Sequence, residues 1–141
     1  MPGTVLVVSP HPDDEIVGCG ASLLILRDAG WRIVNLACSL GRPDQVARRR
    51  AELEAALAVV GFEGLVAEPG PALAGQIAAT ARRLGAELVV SPHPAHGHPA
   101  HQAAGRAVAE AGARLPGVRW WAWGLWADLP EPNLHVPWGP D

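Results

Sequence analysis

The chain contains no lysine, so reaction through a lysine amine, as base or Schiff-base former, is excluded. It has only two cysteines, Cys19 and Cys38, too few for a disulfide framework. Reduced thiols are the default for such a pair and point to a cytoplasmic setting. No apolar run is long enough to span a bilayer, and no basic leader precedes the first apolar run. A soluble cytoplasmic protein without a membrane span is expected. No basic face stands out, and the net charge is −3, so no nucleic-acid partner is expected. The single arginine cluster, Arg48, Arg49 and Arg50, leaves phosphate-bearing partners open. No internal repeat or low-complexity tract occurs. No glycine-rich phosphate loop follows the first apolar run, which weighs against a nucleotide-handling enzyme.

What the chain does contain is apolar surface in quantity. A hydrophobic content of 49% excludes a disordered chain, and 141 residues suffice for one domain, 1–141, with a real core. Apolar runs alternate with helical patterns. Residues 5–9, 32–39, 65–68, 87–91 and 118–124 read as strands. Residues 15–29, 45–60, 71–84 and 98–113 read as helices. In the first helix Ile16, Leu23, Leu24 and Leu26 form an apolar stripe, and Gly30 stops it. Gly61 and Gly85 stop the next two, and Pro71 suits a first turn. Continuous apolar strands alternating with helices predict a doubly wound, mostly parallel α/β sheet, Rossmann-like, with helices on both faces. From Leu129 the chain is rich in proline, and no closing helix is expected there.

Two stretches carry more polar chemistry than folding needs. Ser9-Pro-His-Pro-Asp-Asp-Glu15 places a histidine and three acids in one tight turn after an apolar run. Crowded carboxylates cost free energy unless a cation or hydrogen-bond donors compensate them. The simplest compensator is a divalent metal. The second stretch, residues 93–101, holds His93, His96, His98 and His101 after another apolar run. Both lie at carboxyl ends of predicted strands, the edge where open parallel sheets bind ligands. Zinc takes nitrogen and oxygen ligands, and a hydrolytic zinc keeps one position for water. His11 and Asp14 are three apart, so one turn can aim both at a single point. Asp13, between them, faces elsewhere and suits a general base. A plainer reading has the acids cap a helix and complement its dipole. It accounts for one acid but not for His11. His98 and His101 share a helix face, where one can ligate a metal and the other can hydrogen-bond the reacting group. His93 and His96 read as bystanders, and Cys19 as a small core residue.

The order Pro-His-Pro-Asp-Asp-Glu, then Gly18-Cys-Gly20, then Gly97-His-Pro-Ala-His101, resembles the LmbE-like (PIG-L-type) zinc-dependent N-deacetylases. The likeness extends to Arg49-x-x-Glu52-x-x-x-Ala56 before Gly61 and to Pro132-Asn133, and so covers almost the whole chain. It implies removal of an acyl group, mostly acetyl, from an N-acetylglucosamine-type substrate. Glucosaminyl-inositol, chitobiose and glycopeptide-antibiotic sugars are examples, and some relatives cleave amides of thiol conjugates. It implies Zn2+ as cofactor, with His11, Asp14 and His101 as ligands. Asp13 then matches the general base, and His98 the histidine that stabilises the oxyanion or protonates the leaving amine. Arg49 matches a substrate-contacting arginine, with Arg48 and Arg50 as alternatives in register.

The chain departs from that pattern in three ways. The second motif usually reads His-Pro-Asp-His, and Ala100 stands in place of the aspartate. His96 stands where an acid is frequent. The chain is also shorter than most relatives, so part of the substrate pocket is expected to be missing or to come from a neighbouring subunit, which leaves a homo-oligomer open. Arg119-Trp-Trp-Ala-Trp-Gly-Leu-Trp126 reads first as a strand whose tryptophans serve a core or subunit interface. Its second reading is a stacking wall for substrate, with Trp123 or Trp126 as the best placed. A metal-binding domain without turnover is the competing functional reading, and Ala100 and the short carboxyl end are its support.

Overall fold

The structure is a computed structural model that describes residues 2–125, 127–137 and 139. Five strands form one sheet: β1 (Thr4–Ser9), β2 (Arg32–Ala37), β3 (Glu63–Val66), β4 (Ala86–Pro92) and β5 (Arg119–Trp123). They lie in the order β3-β2-β1-β4-β5, and every pairing is parallel. This is the doubly wound, Rossmann-like α/β arrangement. The chain first winds outward from β1 through β2 to β3, then returns to the other side of β1 for β4. The direction of winding therefore reverses between β1 and β4. Just beyond the carboxyl ends of those two strands lies the crevice in which such sheets bind ligands.

Burial explains why the strands form. Val5, Leu6, Val7 and Val8 of β1 are fully buried, as a central parallel strand requires with helices on both faces. On one face Leu23 of α2 (Gly20–Asp28) and Leu53 and Leu57 of α3 (Val46–Val60) pack on Val5, Val7, Ile33 and Val90. On the other, Ile77, Ala78 and Ala81 of α4 (Leu73–Leu84) and Ala104, Val108 and Ala111 of α5 (Pro99–Gly112) pack on Leu6, Val8 and Val89. The helices α3 and α4 end on Gly61 and Gly85, both at positive φ, where a side chain would strain the backbone.

Three expectations change. The helix expected over 15–29 is two: α1 (Asp14–Val17), then a break at Gly18 and Cys19, then α2. The break has a packing cause. The Trp123 ring presses on Gly18 so closely that a Cβ there would meet ring carbons at 2.5–2.6 Å. Ile16 consequently belongs to α1 and is 36% exposed, apart from the buried stripe of α2. The strand expected over 65–68 starts two residues earlier, in register with β2 through Val34 and Glu63. Its first two residues are exposed on a sheet edge, so they carry no apolar signal. After Trp123 the described residues form no helix or strand. Among the described residues no helix is long and apolar enough to cross a membrane.

The loop from β4 into α5 depends on one small residue. A Cβ on Gly105 would lie 2.6 Å from the Pro92 carbonyl oxygen and 2.7 Å from the Pro94 nitrogen. These are backbone atoms, which cannot swing aside. Gly105→Ala is therefore expected to lower stability by on the order of 1–3 kcal/mol through overpacking. Gly112, on the same helix, has no neighbour within 4 Å of an added Cβ. Gly112→Ala is expected to be neutral or to stabilise by up to about 1 kcal/mol through helix propensity. Thermal unfolding of both variants beside the parent checks the contrast, and equal melting temperatures would refute it.

Candidate metal centre

The segment after β1 turns sharply. Asp13 has φ 101°, well outside the region a side chain favours, and α1 starts at the next residue. The Asp14 Oδ2 accepts the His11 main-chain N–H at 2.7 Å, which closes the turn and fixes the carboxylate. The segment after β4 runs through a Pro/Gly loop to His98, the N-cap of α5. The His98 Nδ1 accepts the Ala100 N–H at 3.2 Å, and Pro99 occupies the first turn. That bond fixes the neutral tautomer of His98 with its proton on Nε2. One turn into α5, His101 is 2% exposed.

These two segments meet at Asp14. Its Oδ2 lies 3.4 Å from His11 Nδ1, and its Oδ1 lies 3.3 Å from His101 Nε2. One donor atom from each of the three residues falls within 4.8 Å of the other two, and this is the one such group among the described residues. The separations decide what the group suits. Both separations exceed an ordinary hydrogen bond, and they bring the two rings and the carboxylate together around one point. Two imidazole nitrogens and a carboxylate oxygen are also a donor set that zinc accepts. The residues present therefore fit a divalent metal such as zinc, which His11, Asp14 and His101 would hold.

The charges agree with that use. Burial alone raises the Asp14 carboxyl, yet the hydrogen bonds from His11 and the neighbouring imidazoles hold it below the usual carboxylate value. Asp14 is thus an anion. Burial lowers His101, against the pull of Asp14, which keeps its ring neutral with a lone pair to give. The contact with Asp14 raises His11. Neighbouring Asp13 moves the opposite way from Asp14: lost hydration and the Asp14 charge raise it, while His11 and Arg49 restrain the rise. Asp13 is exposed, as is His98, whose ring lies 5.7 Å from that of His11 and 4.9 Å from that of His101.

Of the three arginines, Arg49 is half-buried and its charge acts on both His11 and Asp13. Arg48 pairs with Glu52 at 3.5 Å in solvent, and Arg50 borders a separate hollow with Cys38, Ser39 and Glu68. The cysteines lie outside the donor group, and burial pushes the Cys38 thiol up to about 12 and that of Cys19 higher still.

Four further residues border the donor group without belonging to it. His96 is 1% exposed, stacks on His101 with centroids 4.5 Å apart, and accepts the Leu125 N–H at 2.9 Å. It walls the donor group from behind rather than joining it. Trp123 meets both His96 and His101 edge-on, at 5.6 and 5.7 Å. Its far side borders an apolar hollow of about 430 Å³ between the α1–α2 break and residues Leu129, Leu134 and Val136. Trp123 is thus a core residue touching the donor group, while Trp120 is 41% exposed and donates to Ser91 Oγ at 2.8 Å. Trp126 lies outside the described residues. Ser9 and Glu15, both buried, form the floor of the turn.

The family model described as PIG-L, GlcNAc-PI de-N-acetylase, matches residues 6–112. A Bacillus cereus protein named as probable N-acetyl-alpha-D-glucosaminyl L-malate deacetylase 2 is 30% identical over 79% of this chain and 62% of its own. The chain therefore spans less than two thirds of that relative's length. A conserved protein of Thermus thermophilus shares the fold with a TM-score of 0.71 and 26% identity, over 89% of this chain and 68% of its own. The zinc-inhibited form of teicoplanin deacetylase Orf2 superposes with a TM-score of 0.75 over 95% of this chain and 73% of its own. At 19% identity that likeness is one of fold alone. The family match runs from within β1 to the last residue of α5 and so includes both halves of the donor group, and the chain belongs to the PIG-L (GlcNAc-PI de-N-acetylase) family.

Proposed function

We propose that this protein hydrolyses the N-acyl amide of an amino-sugar-type substrate, acetyl being the expected acyl group, with one Zn2+ held by His11, Asp14 and His101. The observation that carries this reading is the meeting of those three donors beside two exposed groups able to move protons, Asp13 and His98. Family membership and the B. cereus relative, named for an N-acetylglucosaminyl compound, support the substrate class. Bound there, zinc supplies Lewis-acid polarisation of the amide carbonyl and lowers the pKa of water to about 7.

The chain's own groups then divide the work. Asp13 takes the proton from the attacking water, and its raised pKa makes it a stronger base than an ordinary aspartate. His98 presents its Nε2–H as a hydrogen-bond donor to the oxyanion that forms as water adds, and the proton taken by Asp13 passes to the departing amine. Arg49, charged and half-buried beside Asp13, binds hydroxyl or phosphate oxygens of the substrate. Ala100 leaves His98 without a carboxylate partner from that position. The Ala100 N–H takes over the orienting task by donating to Nδ1.

Metal analysis of the purified protein is expected to give about one zinc per chain, reduced in His101→Ala. Undiminished zinc in that variant would overturn the ligand set. Asp13→Asn is expected to keep the metal and lose about 10²–10⁴ in kcat, whereas Asp14→Ala loses both. Release of zinc by Asp13→Asn would exchange the two roles. His98→Gln is expected to lose about 10²–10³ in kcat, the scale of one oxyanion donor. Wild-type turnover in that variant would remove His98 from the reaction. Full zinc with no hydrolysis across N-acyl amino sugars would leave a metal-binding domain without turnover.

A further inference from the structure

The first motif contains a third acid, Glu15, that the reaction above does not use. It is 1% exposed, so it neither meets substrate nor belongs to the donor group. A carboxyl buried this deeply is costly unless something requires it. Its Oε2 accepts the main-chain N–H of Asp13 at 3.1 Å. Asp13 stands at φ 101°, ψ −25°, one of two non-glycine residues at positive φ among those described. A non-glycine residue in such a region costs on the order of 1–3 kcal/mol and persists only where its surroundings hold it.

The hold continues downward. Ser9, the last residue of β1, is fully buried, and its hydroxyl interacts with the Glu15 carboxyl. The same hydroxyl donates to Asn35 Oδ1 on β2 at 2.6 Å. As arranged, Asn35 Nδ2 and Glu15 Oε1 are both buried without hydrogen-bond partners. Turning the Asn35 amide end for end gives Ser9 a donor, Nδ2, and frees the Ser9 proton for the Glu15 carboxyl it already meets. A buried polar chain thus runs from Asn35 through Ser9 and Glu15 to the backbone of Asp13, anchored in the two central strands.

We propose that Glu15 is a positioning residue: through its carboxylate the Asn35–Ser9–Glu15 chain holds the Asp13 backbone at positive φ and so keeps the Asp13 side chain beside His11 and Asp14. The inference rests on the role given to Asp13 above. The turn costs backbone energy because a non-glycine residue stands at positive φ, and on this reading the return is the placing of the Asp13 carboxylate. Glycine would accept the same backbone but has no carboxylate to present.

Two variants of similar volume separate positioning from packing. Glu15→Gln keeps an oxygen for the Asp13 N–H, and Glu15→Met removes it. Crystal structures of the zinc-loaded proteins are expected to show residue 13 still at positive φ in Glu15→Gln and relaxed to negative φ in Glu15→Met. With an N-acetylglucosamine conjugate, kcat is expected within about 3-fold of the parent for Glu15→Gln and lower by about 10² for Glu15→Met. KM and zinc content should stay within about 3-fold in both. A merely structural Glu15 would lower stability without this split. Ser9→Ala gives a milder perturbation of the same chain should Glu15→Met not fold, and its kcat should fall in the same direction. A positive φ retained in Glu15→Met, or unchanged kcat per bound zinc in Glu15→Met or Ser9→Ala, would overturn the proposal. One readout needs no activity. Asp13→Gly should melt above Asp13→Ala in the parent, and that gap should vanish once Glu15 is methionine. If the parent hydrolyses no N-acyl amide, the functional reading fails, and the φ and melting comparisons alone decide the role of Glu15.

Discussion

The site depends on one buried carboxylate. Asp14 sits between two imidazoles, 3.4 Å from His11 and 3.3 Å from His101, and its charge joins segments that lie far apart in the chain. Burying an anion is unfavourable unless it is compensated, so its surroundings are constrained. The compensation arrives from both sides of the sheet's switch point. The turn after β1 supplies the His11 N–H and ring, and α5 supplies His101. The β1–β4 pairing is therefore a requirement of the chemistry as well as of the fold. Only that pairing brings the two carboxyl-end segments close enough to share one carboxylate.

Close approach on this scale needs small residues behind the polar ones. Gly105 lets α5 lie directly on the backbone of the β4–α5 loop, which sets the depth of His101 one turn earlier. Gly18 lets the Trp123 ring fill the space behind α1. Trp123 in turn meets His96 and His101 edge-on, so an apolar wall backs the neutral face of the donor group. Such a wall excludes water from one side of His101 and favours its uncharged form. The same packing that breaks the first helix thus adjusts a donor on α5, far along the chain.

Much of this was legible in the amino-acid order. Parallel strands buried on both faces leave continuous apolar runs, and glycine stops mark helix ends, so the alternation and fold class could be read directly. The two polar clusters stood out because helix starts need neither histidine nor three acids. The break at Gly18 and Cys19 was not legible, because its cause is Trp123, a residue more than a hundred positions later. The early start of β3 was hidden since edge-strand residues such as Glu63 face solvent. Arg48, Arg49 and Arg50 are equivalent as letters. Only helix orientation turns Arg49 inward toward Asp13 and leaves Arg48 with Glu52. His96 looked like a bystander because stacking on a neighbour leaves no trace in spacing.

The fold by itself does not select a reaction, because one doubly wound sheet serves many chemistries. What narrows the choice here is the contrast between Asp13 and Asp14. They are adjacent carboxyls placed in opposite environments. Asp14 is buried and takes hydrogen bonds from His11, which stabilise its anion and suit it to coordination. Asp13 receives no such bonds on its carboxylate among the interactions described, and lost hydration, with the charge of Asp14 added to it, makes it the more basic of the two. Carboxyl pairs driven apart in this way commonly divide into a holding role and a proton-moving role. A helix cap or surface turn would gain nothing from the division, and the positive φ at Asp13 would be strain without return. The backbone conformation of residue 13 and the burial of its neighbour are therefore one device. It separates two like charges in orientation while keeping them close, as the proposed division into a metal ligand and a proton acceptor requires.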